Sequence, residues 1–441
     1  MKMRKFLNQQ RKPWWMVLFF SATMLFMWSV ACTERHRTNP FDPKGESPPI
    51  IDLQLSPSPD HILLEWNLTR TVEGITGYRI FRGEGSRDNI RFYKEVPASQ
   101  MSFVDTLVQQ GVWYFYNVTA MGKSTESPPS RIRKALLGNG TCWVLSRFGE
   151  RVVQLSYDLQ HKLADFQIFT RPDSWVVQPG DSIIWINFTL FDRGLVKLNR
   201  QNGNLNFFYL DNLKKPVDIA FDNESREVYI LDNELHKVFI FNGLNLSDSI
   251  NIDSGVDFSE IEFNSFNHQL YLLGDTQVLG IRVNQTQPLI TRFVFPSQFS
   301  GVDLNVIGNT EYLLVNSAGL GESIIYTLTN DLAVTDSLVY PAVLHRLGVD
   351  WVNELFYAAE PNGNNGDFLV QLSAAGQRQF RLSGFRRISF IAINPFDRTV
   401  VITDDFADNL VLIDPDGNII SQLNEADEAI SIEGPIRIFV E

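Results

Sequence analysis

The sequence is poor in cysteine, which limits the classes of protein it can belong to. Only two of its 441 residues are cysteine, Cys32 and Cys142. Small secreted domains that depend on disulfides for stability use many more, so that class is excluded. Cys142 lies in the apolar run 142–145, and free cysteines in such surroundings are usually buried. We therefore expect a structural rather than a reactive thiol.

Basic clusters and local catalytic motifs are also missing. The net charge is −13, and no cluster of Lys and Arg follows the first 37 residues, which argues against nucleic acid as a partner. The six histidines are scattered without the short spacing of a sequence-local zinc site. No Gly-x-Ser-x-Gly elbow or phosphate-binding loop is present. We therefore expect no enzyme of the kind that a local motif identifies.

The composition is that of a folded, strand-rich chain. Hydrophobic residues make up 44% and charged residues 20%, which is ordinary for globular proteins. Phe is abundant and occurs with many Val, Ile and Tyr residues, which favour strands. At 441 residues the chain is too long for one ordinary core, so more than one domain is expected.

The first residues have the pattern of an export signal. Basic residues precede an uncharged stretch from Trp14 to Ala31, and the segment ends Ser29-Val30-Ala31-Cys32. These four positions resemble the lipobox of bacterial lipoproteins, although Ser29 stands where that family has Leu. The resemblance implies a signal peptide over 1–31 and a lipid on Cys32. An uncleaved membrane anchor and plain cleaved secretion remain alternatives.

Each of these three alternatives places the rest of the chain outside the cytoplasm. For a lipoprotein this means the cell envelope, on the periplasmic or cell-surface side, with the lipid as the contact to the membrane. Residues 32–47 are rich in proline and polar side chains. They predict a flexible tether between the lipidated cysteine and the first folded domain.

Short strands separated by turns follow over 48–135. Three sequence features in this segment resemble a fibronectin type III domain: Trp66, the run Gly77-Tyr-x-Ile-Phe-Arg82, and the alternating run Tyr114-x-Tyr-x-Val-x-Ala120. The resemblance implies an immunoglobulin-like β-sandwich with Trp66 between its sheets. It also implies that the Tyr114 hydroxyl bonds back to the chain as a corner tyrosine. A spacer is the expected role of this domain.

A repeat occupies residues 138–441. Polar residues close an apolar strand at intervals of 41 to 45 residues, at Gln178, Asp222, Asn264, Asn305, Asp350 and Asn394. Each interval has room for three or four short strands, which matches a propeller blade. The last residues, 435–441, look like another first strand, and residues 142–169 look like the later strands of the same blade. We therefore predict an all-β chain with a seven-bladed β-propeller closed by its two ends; six or eight blades are the alternative.

This region resembles the NHL-like and lactonase-like propellers in its period and its strand–turn–strand pattern. The resemblance implies a ring around a central channel, and it implies no particular activity. Some propellers of this kind are hydrolases or lyases that hold a metal in the channel. The aromatic residues Trp175, Trp185, Tyr209 and Trp351 are expected to serve packing rather than ligand binding.

Two sets of polar residues are candidates for function. One recurs at the end of each first strand and forms a polar ring if its members face the channel: Asp222, Asn264, Asn305, Asp350, Asn394 and Glu441. The alternative is that these residues cap turns. The other set is Asp404, Asp405 and Asp408, which either bind Ca²⁺ through carboxylates or form a solvated acidic turn. We expect no cofactor; Ca²⁺ is the alternative.

The combination of anchor, spacer and propeller without a catalytic motif favours a non-enzymatic binding or scaffold protein. Its loop face would recognise an unidentified protein or glycan. Two alternatives remain. One is an exported propeller enzyme, a lactonase-like hydrolase or a lyase with a channel metal. The other is a structural subunit of an envelope assembly.

Overall fold

The computed structural model describes residues 50–440 with the exception of 59, 110–111, 139, 178–181, 190–192, 244, 253–254, 284–287, 318 and 425–431. The predicted signal peptide, Cys32 and the tether therefore lie outside the described residues, as do Gln178 and Glu441. The described chain divides into two compact units. One contains Leu64–Phe103, Phe115–Lys134 and the residues up to Leu55; the other contains Ala135 onward with Ser56–Leu63 and Val104–Tyr114.

The first seven strands form two sheets, with the orders β1-β2-β5 and β4-β3-β6-β7. Their bounds are β1 Ile51–Pro57, β2 Ile62–Leu68, β3 Gly77–Glu84, β4 Arg91–Pro97, β5 Ser102–Asp105, β6 Trp113–Met121 and β7 Arg133–Leu136, with a short 3₁₀ helix at Arg87–Asn89. Alternate residues of β2 are buried, among them Leu64 and Trp66. The Trp66 ring packs edge-to-face on Tyr78 of the other sheet, with 5.4 Å between ring centroids. The aromatic core is therefore shared by the two sheets.

The chain from Cys142 to Val440 forms seven four-stranded antiparallel sheets among the described residues. The strands of the first four sheets in chain order are β8 Cys142–Ser146, β9 Arg151–Leu155 and β10 Lys162–Gln167; β11 Pro172–Val177, β12 Ile183–Phe188, β13 Gly194–Asn199 and β14 Leu205–Tyr209; β15 Pro216–Asp222, β16 Glu227–Asp232, β17 Lys237–Asn242 and β18 Asn245–Asn251; and β19 Phe258–Asn264, β20 Gln269–Gly274, β21 Gln277–Arg282 and β22 Leu289–Val294.

The remaining strands complete the series. They are β23 Ser300–Ile307, β24 Thr310–Ser317, β25 Glu322–Thr329 and β26 Val334–Tyr340; β27 Leu347–Asp350, β28 Leu355–Pro361, β29 Asp367–Ser373 and β30 Arg378–Phe385; β31 Ile388–Ile393, β32 Val400–Asp404, β33 Asn409–Ile413 and β34 Ile419–Leu423; and β35 Pro435–Val440. A second 3₁₀ helix spans Gly363–Asn365. Consecutive strands pair as hairpins in each sheet, except that β35 pairs with β8.

The two ends of this region meet in one sheet. Strand β35 runs antiparallel to β8, with Val440 opposite Cys142 and Pro435 opposite Ser146. The strand order of this sheet is β10-β9-β8-β35, so β35 takes the place that the first strand has in each other sheet. The seven strands at this place are called the first strands below: β11, β15, β19, β23, β27, β31 and β35. Each contacts the next in the series, and β35 contacts β11, which is the arrangement of a β-propeller.

Apolar side chains fill the spaces between neighbouring sheets. One such cluster contains Tyr229 from one sheet and Leu270 and Leu272 from the next, all fully buried. Tyr229 stacks on Phe263 of the neighbouring first strand, with 5.7 Å between ring centroids. Second and third strands are buried on both faces, which explains why they read as continuous apolar runs. Within the described part of the chain, no helix has the length and hydrophobicity needed to cross a membrane.

Candidate functional site

A local irregularity recurs on the first strands. Six of the seven described first strands, all except β27, shift register against their neighbour near their start. The shift falls at the second residue in five of them, for example between Pro216 and Asp218, and at the third residue in β23. Such a bulge re-aims the side chain that follows it. The residues at this position, with the residue preceding β27 included, are Ser174, Asp218, Glu260, Asp303, Arg346, Phe390 and Arg437. Five of these seven are ionisable, which is unusual inside strands that are otherwise apolar.

Four of these side chains bond to the backbone of the following first strand. The bonds are Ile261 N–H to Asp218 (3.2 Å), Leu304 N–H to Glu260 (3.2 Å), Leu347 N–H to Asp303 (2.8 Å) and Arg346 Nε to the Ser389 carbonyl (2.7 Å). Each bond joins one sheet to the next at the centre of the ring. The charged residues at this position therefore brace neighbouring sheets, because each bonds to a backbone group of the next first strand.

Asp218 is the most heavily used of these groups. Its side chain is 1% exposed and accepts hydrogen bonds from the Ser174 hydroxyl and the Ile261 amide. The Arg437 guanidinium lies 3.1 Å away and donates to the same carboxylate. Arg437 belongs to β35 and Asp218 to β15, so this ion pair passes over β11. The ion pair therefore joins the sheet that contains β8 and β35 to the sheet of β15, two places further along the ring.

The carboxylates around this ion pair titrate abnormally. Burial, together with the charges of Asp303 and Glu262, raises the pKa of Glu260 well above its usual range. Burial raises the pKa of Glu262 to about 8, although Arg437 opposes the shift. The pKa of Asp303 is raised by burial and partly held down by Arg346. Burial alone would lower the pKa of Arg437, but Asp218 and the two glutamates outweigh it. These groups therefore share one electrostatic environment.

A cavity of about 380 Å³ opens beside this cluster. Its lining comes from four first strands, β11, β15, β19 and β35, with Ser265 directly after β19. It therefore lies at the centre of the ring. Apolar and polar residues both contribute to its lining, and Glu262 and Arg437 are the charged residues among them. The cavity is large enough for a small organic molecule.

Four of the predicted ring residues cap turns. The side-chain oxygens of Asp222, Asn264, Asp350 and Asn394 each accept a hydrogen bond from the backbone N–H two residues further on. This is an Asx turn, repeated between the first and second strands of four sheets. A residue in the left-handed region ends each turn: Arg226, His268, Glu354 and Arg398. The turn-capping interpretation describes these four contacts.

The other two ring candidates differ. The Asn305 side chain donates to the Leu347 carbonyl at 3.1 Å, so it braces two neighbouring first strands. Glu441 lies outside the described residues. The structure therefore brings together a different set at the centre, namely Asp218, Glu260, Glu262, Asp303 and Arg437.

The acidic turn after β32 is occupied by hydrogen bonds. Asp404 is fully buried and accepts bonds from the backbone amides of 386, 387, 406 and 407. Asp405 pairs with the Arg387 guanidinium at 2.5 and 2.7 Å. Asp408 accepts from the Gly434 amide at 2.5 Å. Across the described residues, no group of three or more His, Cys, Asp or Glu side chains is arranged to hold a metal ion.

The described turns between first and second strands are called the first-turn face below. Contacts join neighbouring turns: Glu224 to His268 at 3.3 Å, Asn264 to the Gly308 carbonyl at 2.8 Å, and Asp350 to Arg398 at 3.8 Å. Three large aromatic residues stand exposed on it: Phe266 at 68%, Trp351 at 57% and Phe396 at 66%. Trp351 and Tyr209 were expected to serve packing; both are exposed, and the Tyr209 ring packs edge-to-face on Phe188 with 6.0 Å between ring centroids. Trp175 and Trp185 are buried as expected.

Trp351 also stands at the edge of a second cavity, of about 210 Å³. Hydroxyl groups and carboxylates line the same cavity, so hydrogen-bond donors and acceptors both lie beside an aromatic ring; the polar residues are Tyr312, Thr327, Asp336, Ser337 and Glu354. The Arg398 guanidinium lies 6.0 Å from the centre of the Trp351 ring. Trp, Phe and Arg are the residues that most often carry the energy of protein interfaces.

Comparisons with known proteins support the fold. No family model and no curated protein matches the chain. Among solved structures, a protein from Lactobacillus plantarum is similar at 12% identity and a TM-score of 0.54, covering 68% of this chain and 99% of that one. A putative 6-phosphogluconolactonase from Bacteroides uniformis is similar at 10% identity and a TM-score of 0.53; the match covers 69% of this chain and 100% of that one. Dihydro-heme d1 dehydrogenase NirN is similar at 12% sequence identity and a TM-score of 0.50; the match covers 65% of this chain and 64% of that one. At these identities the similarity shows a β-propeller and nothing of its activity.

The candidates from the sequence are the residues that close each first strand, and the residues of the central cluster are not among them. The charged position lies four residues earlier in most sheets, as with Asp218 before Asp222. Its signal is an isolated charged residue inside an apolar strand, repeated with nearly the same period at Glu260, Asp303 and Arg346. A search for buried charge rather than for strand ends would have found it.

Proposed function

We propose that this chain is an exported, membrane-anchored binding protein of the cell envelope. A signal peptide over 1–31 would be removed, a lipid on Cys32 would hold the protein to the membrane on its periplasmic or cell-surface side, and residues 32–47 would act as the tether. The propeller would recognise a protein or glycan through its first-turn face. The observation that carries the proposal is the exposed group of Phe266, Trp351 and Phe396 on that face.

The domain between tether and propeller is proposed to be a fibronectin type III-like spacer. The strand orders β1-β2-β5 and β4-β3-β6-β7 agree with the two sheets of that family. The Tyr114 hydroxyl accepts a hydrogen bond from the Gln109 amide at 3.1 Å, the contact that a corner tyrosine makes with the chain just upstream. Trp66 fills the aromatic core that the family resemblance implies.

The propeller is proposed to have seven blades, one for each four-stranded sheet. The pairing of β35 with β8 would close the ring by hydrogen bonds between strands from the two ends of the region. Closure of this kind removes two open sheet edges, which would otherwise expose unpaired backbone groups. A closed ring also holds the turns of successive blades in fixed positions, as a recognition surface requires.

The first-turn face has the chemistry of a recognition surface. Exposed tryptophan and phenylalanine lose water at little conformational cost, since each side chain has only two rotatable bonds. The turn carrying Trp351 is held by the Asp350 side chain, which bonds to the amides of 352 and 353. The aromatic group is therefore presented on a rigid turn, which reduces the entropy lost on binding.

The test is capture from the envelope fraction of the native host with the full chain in a non-ionic detergent. Wild type is compared with Trp351→Ala and with Phe406→Ala, which removes a similarly exposed aromatic residue, at 64%, from a turn between second and third strands. We expect a partner that wild type and Phe406→Ala retain and Trp351→Ala loses. Parallel binding to a glycan array distinguishes a sugar from a protein partner. Equal capture by all three proteins would contradict recognition at this face.

An enzyme with a channel metal is the second candidate, because carboxylates from three sheets converge at the centre: Asp218, Glu260, Glu262 and Asp303. One of the similar structures is a putative lactonase, which is compatible with that candidate. The binding protein is preferred because Asp218, Glu260 and Asp303 accept hydrogen bonds from backbone amides of the next strand. In addition, across the described residues no group of three or more His, Cys, Asp or Glu side chains is arranged to hold a metal ion.

A further inference from the structure

The second cavity is a cleft between two neighbouring sheets. Strands β24, β25 and β26 supply one wall, and β27, the turn after it and β28 supply the facing wall. Ile325, Val349 and Phe356 belong to the buried core between these sheets and close the bottom of the cleft. Trp351 also lines the cleft, but it is 57% exposed, so it is not consumed by the packing of the core.

The turn that carries Trp351 is fixed by its own contacts. The Asp350 carboxylate is fully buried and accepts hydrogen bonds from the amides of Val352 and Asn353 at 3.2 and 3.3 Å. The Arg398 guanidinium of the next sheet lies 3.8 Å from Asp350 and 6.0 Å from the centre of the Trp351 ring. The exposed ring is therefore positioned before a ligand arrives, which lowers the entropic cost of binding.

Polar groups that the fold does not use surround the cleft. Tyr312, Thr327 and Ser337 each carry a hydroxyl, and none of these hydroxyls makes a hydrogen bond within the described part of the chain. The same is true there of the Glu354 carboxylate. Asp336 accepts a bond from the Ser337 amide at 2.8 Å, which leaves most of its acceptor capacity for a ligand.

The charges of the cleft determine which ligands it can take. Burial and the charge of Glu354 raise the pKa of Tyr312, so its hydroxyl stays protonated at neutral pH and can donate a hydrogen bond. Asp336 and Glu354 can only accept hydrogen bonds when ionised. No basic residue is among the residues that line the cleft, so the two carboxylates disfavour a ligand with acidic groups.

This combination complements one ring of a carbohydrate. A pyranose ring has C–H groups on its faces, which pack on an aromatic surface, and hydroxyl groups around its rim, which both donate and accept hydrogen bonds. Trp351 provides the aromatic surface, and the hydroxyls and carboxylates of the cleft provide partners for the rim. An apolar peptide side chain would remove the same polar groups from water without pairing them, which is unfavourable.

We propose that the cleft beside Trp351 binds one pyranose ring of a glycan that lacks acidic groups. The ring packs on Trp351, and its hydroxyls bond to the carboxylates of Asp336 and Glu354. The volume of about 210 Å³ is below the roughly 300–1,000 Å³ of pockets that enclose a whole ligand, so the rest of the glycan lies outside the cleft. Trp351 belongs to the first-turn face, so this inference rests on the proposed function and narrows its partner to a glycan.

The test is a glycan array, followed by isothermal titration calorimetry of the probes that bind. The full chain is kept in a polyoxyethylene detergent, which contains no sugar that could compete. The array carries neutral oligosaccharides of glucose, mannose, galactose and N-acetylglucosamine, with oligogalacturonate as the acidic probe. We expect saturable binding of at least one neutral oligosaccharide, and binding of the acidic probe that is roughly tenfold weaker or less.

Variants of the chain locate the site. Trp351→Ala is expected to weaken binding about tenfold, whereas Trp351→Phe, which keeps an aromatic face, retains most of the affinity. Asp336→Asn should weaken binding about fivefold, because a hydrogen bond to a charged acceptor is lost. Asp248→Asn is the matched control and should bind like wild type. Asp248 is exposed on β18, the fourth strand of another sheet, and accepts a bond from the Ser249 amide at 2.7 Å, as Asp336 does from Ser337.

Circular dichroism and thermal unfolding confirm that the variants are folded. The proposal is overturned if no neutral probe binds saturably, if the acidic probe binds as tightly, or if folded Trp351→Ala or Asp336→Asn binds like wild type. Capture from the envelope fraction separates this failure from that of the proposed function. A protein partner that Trp351→Ala loses would remove only the carbohydrate assignment, whereas no effect of Trp351→Ala in either assay would also remove recognition at the first-turn face.

Discussion

Removal of the Asp218 carboxylate tests the bracing of the ring most sharply. In Asp218→Ala the Arg437 guanidinium loses its 3.1 Å partner, and the Ile261 amide and Ser174 hydroxyl lose their acceptor. Breaking a buried ion pair costs about 3–5 kcal/mol. Glu260 and Glu262 can take up part of the Arg437 charge because both lie near it, which reduces the cost. We expect a loss of about 3 kcal/mol in the free energy of unfolding, or about 6–10 °C in Tm.

Differential scanning calorimetry of the full chain measures this loss in the larger of the unfolding transitions. Asp211→Ala is the matched control, since Asp211 is exposed, and it should change stability by less than about 0.5 kcal/mol. The double variant Asp218→Ala with Arg437→Met should regain about 1–2 kcal/mol, because the stranded charge is gone. A loss below about 1 kcal/mol in Asp218→Ala, or no recovery in the double variant, would refute the bracing role.

Three further outcomes follow from the described contacts. Because folding raises the pKa of Glu262 to about 8, the free energy of unfolding should fall as pH rises from about 5 towards 8. The decrease due to this group is up to about 1.4 kcal/mol per pH unit. In urea titrations, Glu262→Gln should flatten this pH dependence. Tyr114→Phe should destabilise the sandwich by about 1 kcal/mol through loss of the Gln109 bond, and an unchanged first thermal transition would contradict the corner role. Burial raises the pKa of the Cys142 thiol, so native protein should resist a disulfide reagent that labels it rapidly in denaturant; fast native labelling would contradict this.

The strands could be predicted because apolar runs of similar length recur along the chain with turns between them. Second and third strands such as 228–232 and 238–241 are buried on both faces, so each appears as an unbroken apolar run bounded by a turn. The turns were visible because Asp222 and Asn394 are the residue types that cap them. The period alone does not show which of these residues face a channel, because a residue that recurs once in each blade can cap a turn instead of facing the centre.

The central cluster could not be predicted from these patterns. Asp218 and Asp222 both follow the bulge of β15 and lie four residues apart, so the alternation of side chains along a strand places them on the same face and does not tell which of them serves the centre. The ion pair of Asp218 with Arg437 joins positions that are 219 residues apart, and no local pattern encodes it. Trp351 lies in the turn directly after β27, so the periodicity of the strand does not predict its exposure.

The central claim is that the inner carboxylates brace the sheets of the propeller rather than hold a metal ion. Elemental mass spectrometry of the full chain, with its tag removed and after exhaustive dialysis, tests this claim directly. We expect no metal in stoichiometric amount, since the carboxylates of Asp218, Glu260 and Asp303 bond to backbone amides. One equivalent of a divalent metal that is retained by wild type and lost in Asp218→Asn would contradict the account and favour a channel enzyme.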